Sequence, residues 1–208
     1  MPYSPSIPLT RWLTVRRADI DTLAKAHAYI GEVDGPGRPL STGRPVGRAY
    51  VLHVVAEFQG FVRDLHDLAA QRLVELAGPK TPFVSLLSEA ATANRSIDRG
   101  NADLRSIRLD FRRVGLVNVV SKIGSVNRQW SPSATRKRGD QANYGDLIEL
   151  RNALAHGNQN QVDALRAKGS SDTVSWARQR LPGLDRTARA LDKVVWDHLH
   201  SISGEEPW

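Results

Sequence analysis

Apolar residues that return every three or four positions over residues 48–77 leave this chain few ways to fold. Val51, Val54, Val55, Phe58, Phe61, Val62, Leu65, Leu68, Leu73 and Leu76 fall on one face before Gly78-Pro79 ends the run, which predicts a long amphipathic helix. The same period continues elsewhere. A short helix is expected over about 19–30, one from Thr81-Pro82 to about Ile97, one over 103–114, and one marked by Val117, Val120, Ile123, Val126 and Trp130. A further helix is expected over about 144–156, and a helical remainder bends near Pro182. No period-two strand is evident, so the fold class is all-α, an antiparallel helical bundle. Residues 31–47, with five Gly and three Pro, are expected to form a loop without regular structure. The chain therefore divides into 1–47, an N-terminal helix and Gly/Pro-rich loop packed on the rest, and 48–203, a helical domain.

The longest apolar runs are four or five residues, against the roughly 20 that span a bilayer, and no signal-peptide pattern opens the chain. A cytoplasmic protein without membrane contact is expected. With no cysteine among the 208 residues, thiolate metal sites, disulfides and cysteine nucleophiles are excluded, and neither a metal nor a cofactor is expected.

The formal charge is +7, and its distribution is uneven. Residues 1–104 hold 12 basic and 11 acidic side chains, whereas 105–208 hold 17 and 11. Between Arg105 and Arg138 stand nine basic residues against one acidic, Asp110, which suggests a polyanion partner. Arg105, Arg108, Arg112 and Arg113 are partly aligned at helical spacing, and Arg136, Lys137 and Arg138 follow in a polar loop. Trp130 nearby suits base stacking or the core.

The most specific motif lies in DLIELRNALAHGN, residues 146–158, where Arg151-Asn152 precedes His156. Arg-x4-His alone carries little, since roughly 0.7 such pairs arise by chance at this composition, and Arg48 with His53 is one of them. Requiring Asn after the Arg lowers that expectation to about 0.03. Arg and His in a last turn followed by Gly157 also suit a helix C-terminus, where cations meet exposed carbonyls.

The combination resembles the HEPN superfamily of small all-α proteins, whose signature is Arg, a polar residue, then His late in a bundle helix. The stretch 98–116, DRGNADLRSIRLDFRRVGL, is similar to the RiboL-PSP-type branch, with a Gly-Asn turn before a short helix that ends in an aromatic residue and a small-residue stop. The resemblance runs from about Tyr50 to Asn158. It implies a metal-independent endoribonuclease acting as a homodimer, of the kind found among toxins and phage-defence proteins, with an antitoxin or defence partner protein. Arg151 and His156 would be catalytic with Asn152 as polar helper, and Glu57 would correspond to an acid that orients the Arg in some branches.

That chemistry suits these residue types. RNA cleaves when its 2′-hydroxyl attacks the adjacent phosphate, which calls for a proton acceptor and donor and a cation at the phosphorane. Imidazole exchanges its proton near neutrality, and guanidinium offers two parallel donors to phosphate oxygens. Residues five apart on a helix stand about 140° apart, so Arg151 and His156 share no face unless the helix ends early. Two such helices across a two-fold axis would gather two of each in one cleft. The expected partners are RNA and a second copy of the chain. Two other readings remain open: a non-catalytic HEPN module that binds nucleotide or protein, and a basic all-α regulator that binds DNA with a steep salt dependence.

Overall fold

Ser6 opens the first helix: its hydroxyl accepts from the Leu9 amide at 3.1 Å, and Pro8 occupies a first-turn position where a missing N–H costs nothing. The computed structural model describes residues 2–34, 43–76, 78, 81–132 and 139–208. Helix α1 (Ile7–Arg11) passes through one π-helical turn (Trp12–Arg16) directly into α2 (Arg17–Asp34), so helix starts well before the expected Asp19. The signal was present in Ser6-x-Pro8. Leu9, Trp12 and Ile20 are fully buried, and the Trp12 ring meets Phe58 edge-on at 5.3 Å. The N-terminal segment thus shares the main core.

The long helix α3 (Gly43–Leu76) runs through the centre and touches α2, α4 (Thr81–Thr92), α8 (Asp140–Ala155), α10 (Val174–Arg178) and α11 (Leu181–Ser203). Its apolar face is as the periodicity predicted, with Val51, Val54, Phe58, Phe61 and Leu65 buried. Phe58 also meets Tyr144 of α8 at 5.3 Å, and loss of a ring so placed costs about 3–5 kcal/mol.

The expected loop 31–47 is shorter than composition suggests, since 31–34 belong to α2 and 43–47 to α3. Pro45 falls in the first turn of α3, whose amides have no intrahelical acceptor. Gly47 packs so closely on residue 172 that a Cβ would stand 2.1 Å from the Asp172 carbonyl oxygen. Sequence punctuation here marks a helix start and a tight contact, whereas residues 35–42 lie outside the described part.

The helix expected over 81–97 is two, because α4 ends at Thr92 and α5 (Ser96–Arg99) begins after a left-handed Asn94. The cause is a distant carboxylate. Asp110, on α6 (Leu104–Arg113), is buried and accepts from the Ser96 and Ile97 amides at 3.0 and 2.8 Å, capping α5 from outside. The next helix, α7, covers only Val119–Val126, with Trp130 beyond its end and packed against the core. After α8 come α9 (Gln159–Ala167), α10 and α11. Pro182 stands in the first turn of α11 and starts that helix instead of bending one. No strand occurs among the described residues, so the protein is all-α, and none of their helices is long and apolar enough to cross a membrane.

Candidate active site

Helix α8 presents the motif at its C-terminal end. Tyr144, Leu147, Ile148, Leu150 and Ala153 are buried against the core, which leaves Arg151 and Asn152 half-buried and His156 exposed. The helix closes with two bonds: the Gly157 amide donates to the Leu154 carbonyl at 3.2 Å and the Asn158 amide to the Ala153 carbonyl at 2.9 Å. Gly157 takes φ 62°, a left-handed conformation that glycine adopts at little cost. Asn158 then caps α9 by accepting from the Gln161 amide at 3.1 Å. His156 is the C-cap residue, at φ −93° and ψ 4°, so it stands outside the regular run of α8 and is not bound to the 140° offset of a continuous helix.

Asn152 connects this helix end to the other segment singled out in the sequence. Its Oδ1 accepts a short hydrogen bond from Asn101 Nδ2, and Arg151 Nη1 approaches the same oxygen at 3.4 Å. Asn101 belongs to the Gly100-Asn101 turn, which is held from α3 by Gln59, whose Nε2 donates to the Ile97 and Gly100 carbonyls at 2.6 and 2.7 Å. Two stretches fifty residues apart in the chain therefore meet through paired amides. Asn101 Oδ1 is buried without a hydrogen-bond partner among the described residues, a condition that costs about 1–3 kcal/mol. Arg151 makes no ion pair among the described residues either.

No family model, curated protein or solved structure significantly matches the chain.

Glu57 serves a different arginine from the one expected. Its Oε2 accepts from Arg16 Nη1 at 2.6 Å, while Arg16 Nη2 reaches Asp64 at 2.9 Å. Glu57 thus ties the π-helical turn to α3, and the guanidinium it orients is Arg16.

The basic residues of α6 divide. Arg105, Arg108 and Arg112 are exposed, lie within an arc of roughly 60°, and make no ion pair among the described residues. Arg113 is committed to structure, donating to the Ala93 carbonyl at 2.5 Å and the Ala90 carbonyl at 3.4 Å, where it caps the end of α4. Arg105 is in the first turn of α6, two residues after the Asp103 cap, a place where the helix dipole opposes a cation. Helix stability alone gives no reason for it there. Arg136, Lys137 and Arg138 lie outside the described residues.

One histidine was not legible as anything in the sequence. His66 is fully buried on α3, with Nε2 donating to the Asp110 carbonyl at 2.9 Å and Nδ1 accepting from Arg95 Nη1 at 3.0 Å. Burial, aided by the Arg95 cation, pushes its pKa below the ordinary imidazole value. Arg95 is held in turn by Asp67 and Asp98. The group is a structural hub between α3, α5 and α6, and its only sequence trace was Asp64-Leu65-His66-Asp67, a polar patch inside an apolar period.

Proposed function

We propose that this chain is a metal-independent HEPN-type endoribonuclease in which Arg151 and His156 carry catalysis and Asn152 sets their surroundings. The observation that carries the reading is the meeting of Asn101 with Asn152 beside an Arg151 that has no carboxylate partner among the described residues. An arginine placed for structure is normally neutralised, as Arg16 and Arg95 are. Arg151 is left to bind an anion.

In the reaction, the 2′-oxygen forms a bond to the adjacent phosphorus as an imidazole accepts its proton. Arg151 donates to the non-bridging oxygens, whose charge grows in the phosphorane. The bond from phosphorus to the 5′-oxygen then breaks, and the departing oxygen takes a proton from the imidazole of a second copy of the chain. The products are a 2′,3′-cyclic phosphate and a 5′-hydroxyl. The exposed row Arg105, Arg108 and Arg112 continues from the Asn101 turn and provides the track for flanking phosphates.

The reading is tested with end-labelled RNA in EDTA. Wild type should yield cyclic-phosphate ends, and His156→Ala should yield them about a thousandfold more slowly. Sedimentation should find a dimer. Expression should arrest the host, as a toxin or defence nuclease would, and His156→Ala should relieve the arrest. RNA left intact by a folded wild-type dimer would overturn it.

A further inference from the structure

At the other end of α8, about 24 Å from His156 by helical rise, lies a cleft of about 440 Å3 between α7 and α11, lined by Tyr3, Val126, Arg128, Gln129, Arg186, Arg189 and Lys193 among others. Its charge is one-sided. Four of its lining side chains are cations and none is a carboxylate. Arg186 is satisfied by Asp140, with bonds of 2.8 and 2.7 Å, and Lys193 by Asp197 at 2.5 Å. Arg128 and Arg189 are exposed and have no ion pair among the described residues.

The floor beneath these cations is built and rigid. Asp140, 3 % exposed, accepts from Asn127 Nδ2 at 2.9 Å as well as from Arg186. Asn127 Oδ1 accepts from the Gln129 amide at 3.0 Å, and the Asp140 amide donates to the Gln129 carbonyl at 2.8 Å. These bonds fix the backbone of the 127–129 turn on both sides of Arg128, so only the Arg128 side chain is ordered on binding. The lining also has apolar members. The Tyr3 hydroxyl is committed to the buried Asp192 at 2.6 Å, so Tyr3 offers the cleft its ring, alongside Val126 and Ala190.

We infer that this cleft is a binding site for a small organophosphate of mononucleotide size, its phosphate held by Arg128 and Arg189 and its flat, less polar part set against Tyr3, Val126 and Ala190. Two guanidiniums without an ion pair among the described residues match a phosphate, and a cleft of this volume suits a small molecule. The site stands independently of the ribonuclease reading, since it uses no residue of the motif.

Calorimetric titration of the full chain with AMP, inorganic phosphate and a single-stranded oligonucleotide tests it, at low ionic strength where such contacts are least screened. AMP should bind, with inorganic phosphate at least tenfold weaker because it lacks the flat part. Arg128→Ala and Arg189→Ala, both at exposed positions, should each weaken AMP about tenfold or more. Val126→Glu, also exposed, should do the same by placing a carboxylate in the cleft. His156→Ala should leave AMP binding unchanged. Any of four results would overturn the assignment: no AMP binding by wild type, binding that survives Arg128→Ala and Arg189→Ala, phosphate bound as tightly as AMP, or oligonucleotide alone bound through these residues.

Discussion

The chain contains one spacing twice, and the two copies have opposite fates. Arg48 and His53 stand five apart on α3, as Arg151 and His156 do at the end of α8. Arg48 Nε donates to Asp172 at 2.9 Å and Nη2 to Gln159 at 3.1 Å, while His53 lies 4.0 Å from Glu57. Asp172 is buried and also receives Arg166 through bonds of 3.2 and 2.6 Å. This pair therefore fastens the start of α3 to the 172 region, where Gly47 makes its close contact. Among the described residues Arg151 touches an amide and no carboxylate, and His156 is exposed at a helix end. The spacing is the same and the surroundings differ: Arg151 has no carboxylate partner among the described residues, and His156 is exposed.

Cleavage gives the largest test of that contrast. His156→Ala should lower single-turnover RNA cleavage by about a thousandfold, the scale of a lost general acid or base, and His53→Ala should change it less than threefold. Equal losses in the two variants would erase the distinction.

Stability should divide the other way. Asp172→Ala leaves Arg48 and Arg166 without their shared carboxylate and should cost about 2–3 kcal/mol in urea unfolding, below the full cost of breaking a buried pair because both arginines reach solvent. Arg151→Ala should cost about 1 kcal/mol or less. A costly Arg151→Ala would mean that this arginine, too, is structural.

How much of this could be read in advance depends on the range of the interaction. The helical class and the buried face of α3 are local, because each residue's place follows from neighbours three and four away, and Val51 to Leu65 fall where the period puts them. The Arg151-Asn152-His156 segment was equally visible as a string. Its link to Asn101 is a contact across fifty residues, and nothing in either segment announces it. Asp110 shows the same limit. It reads as the lone acid in a basic stretch, yet it breaks the 81–97 helix by capping α5. Glu57 was assigned to Arg151 by resemblance, whereas the π-helical turn brings Arg16 to it first. Charge pairing among so many arginines is decided by tertiary geometry, so counting them locates a basic region without saying which remain free.

A third histidine extends the comparison to acid. His66 is neither paired with a carboxylate like His53 nor exposed like His156. It is neutral and buried between the Asp110 carbonyl and Arg95, with the Phe111 ring edge-on at 5.2 Å. Its pKa in the folded protein lies below the ordinary 6.5, so the unfolded chain binds the proton more readily. The stability this confers is complete above pH 6.5 and is lost as pH falls through the lower folded value. His66→Leu should reduce stability at neutral pH, since Arg95 and the Asp110 carbonyl lose a partner, and should flatten the acid slope. An unchanged slope would mean that another group titrates there.

The smallest effect separates free from committed cations within α6 itself. Arg105 has no ion pair among the described residues, whereas Arg113 is bound to the carbonyl end of α4. If Arg105 contacts a phosphate, Arg105→Ala should weaken RNA binding a few-fold and reduce the slope of log affinity against log salt by about 0.7, the value for one contact on a single strand. Arg113→Ala should leave that slope as it is and cost a few tenths of a kcal/mol of stability through the lost cap. Because both changes remove one positive charge from the same short helix, a general electrostatic attraction would lower the two slopes alike. A difference between them requires that Arg105 meets the strand directly, the same rule that sets Arg151 apart from Arg48.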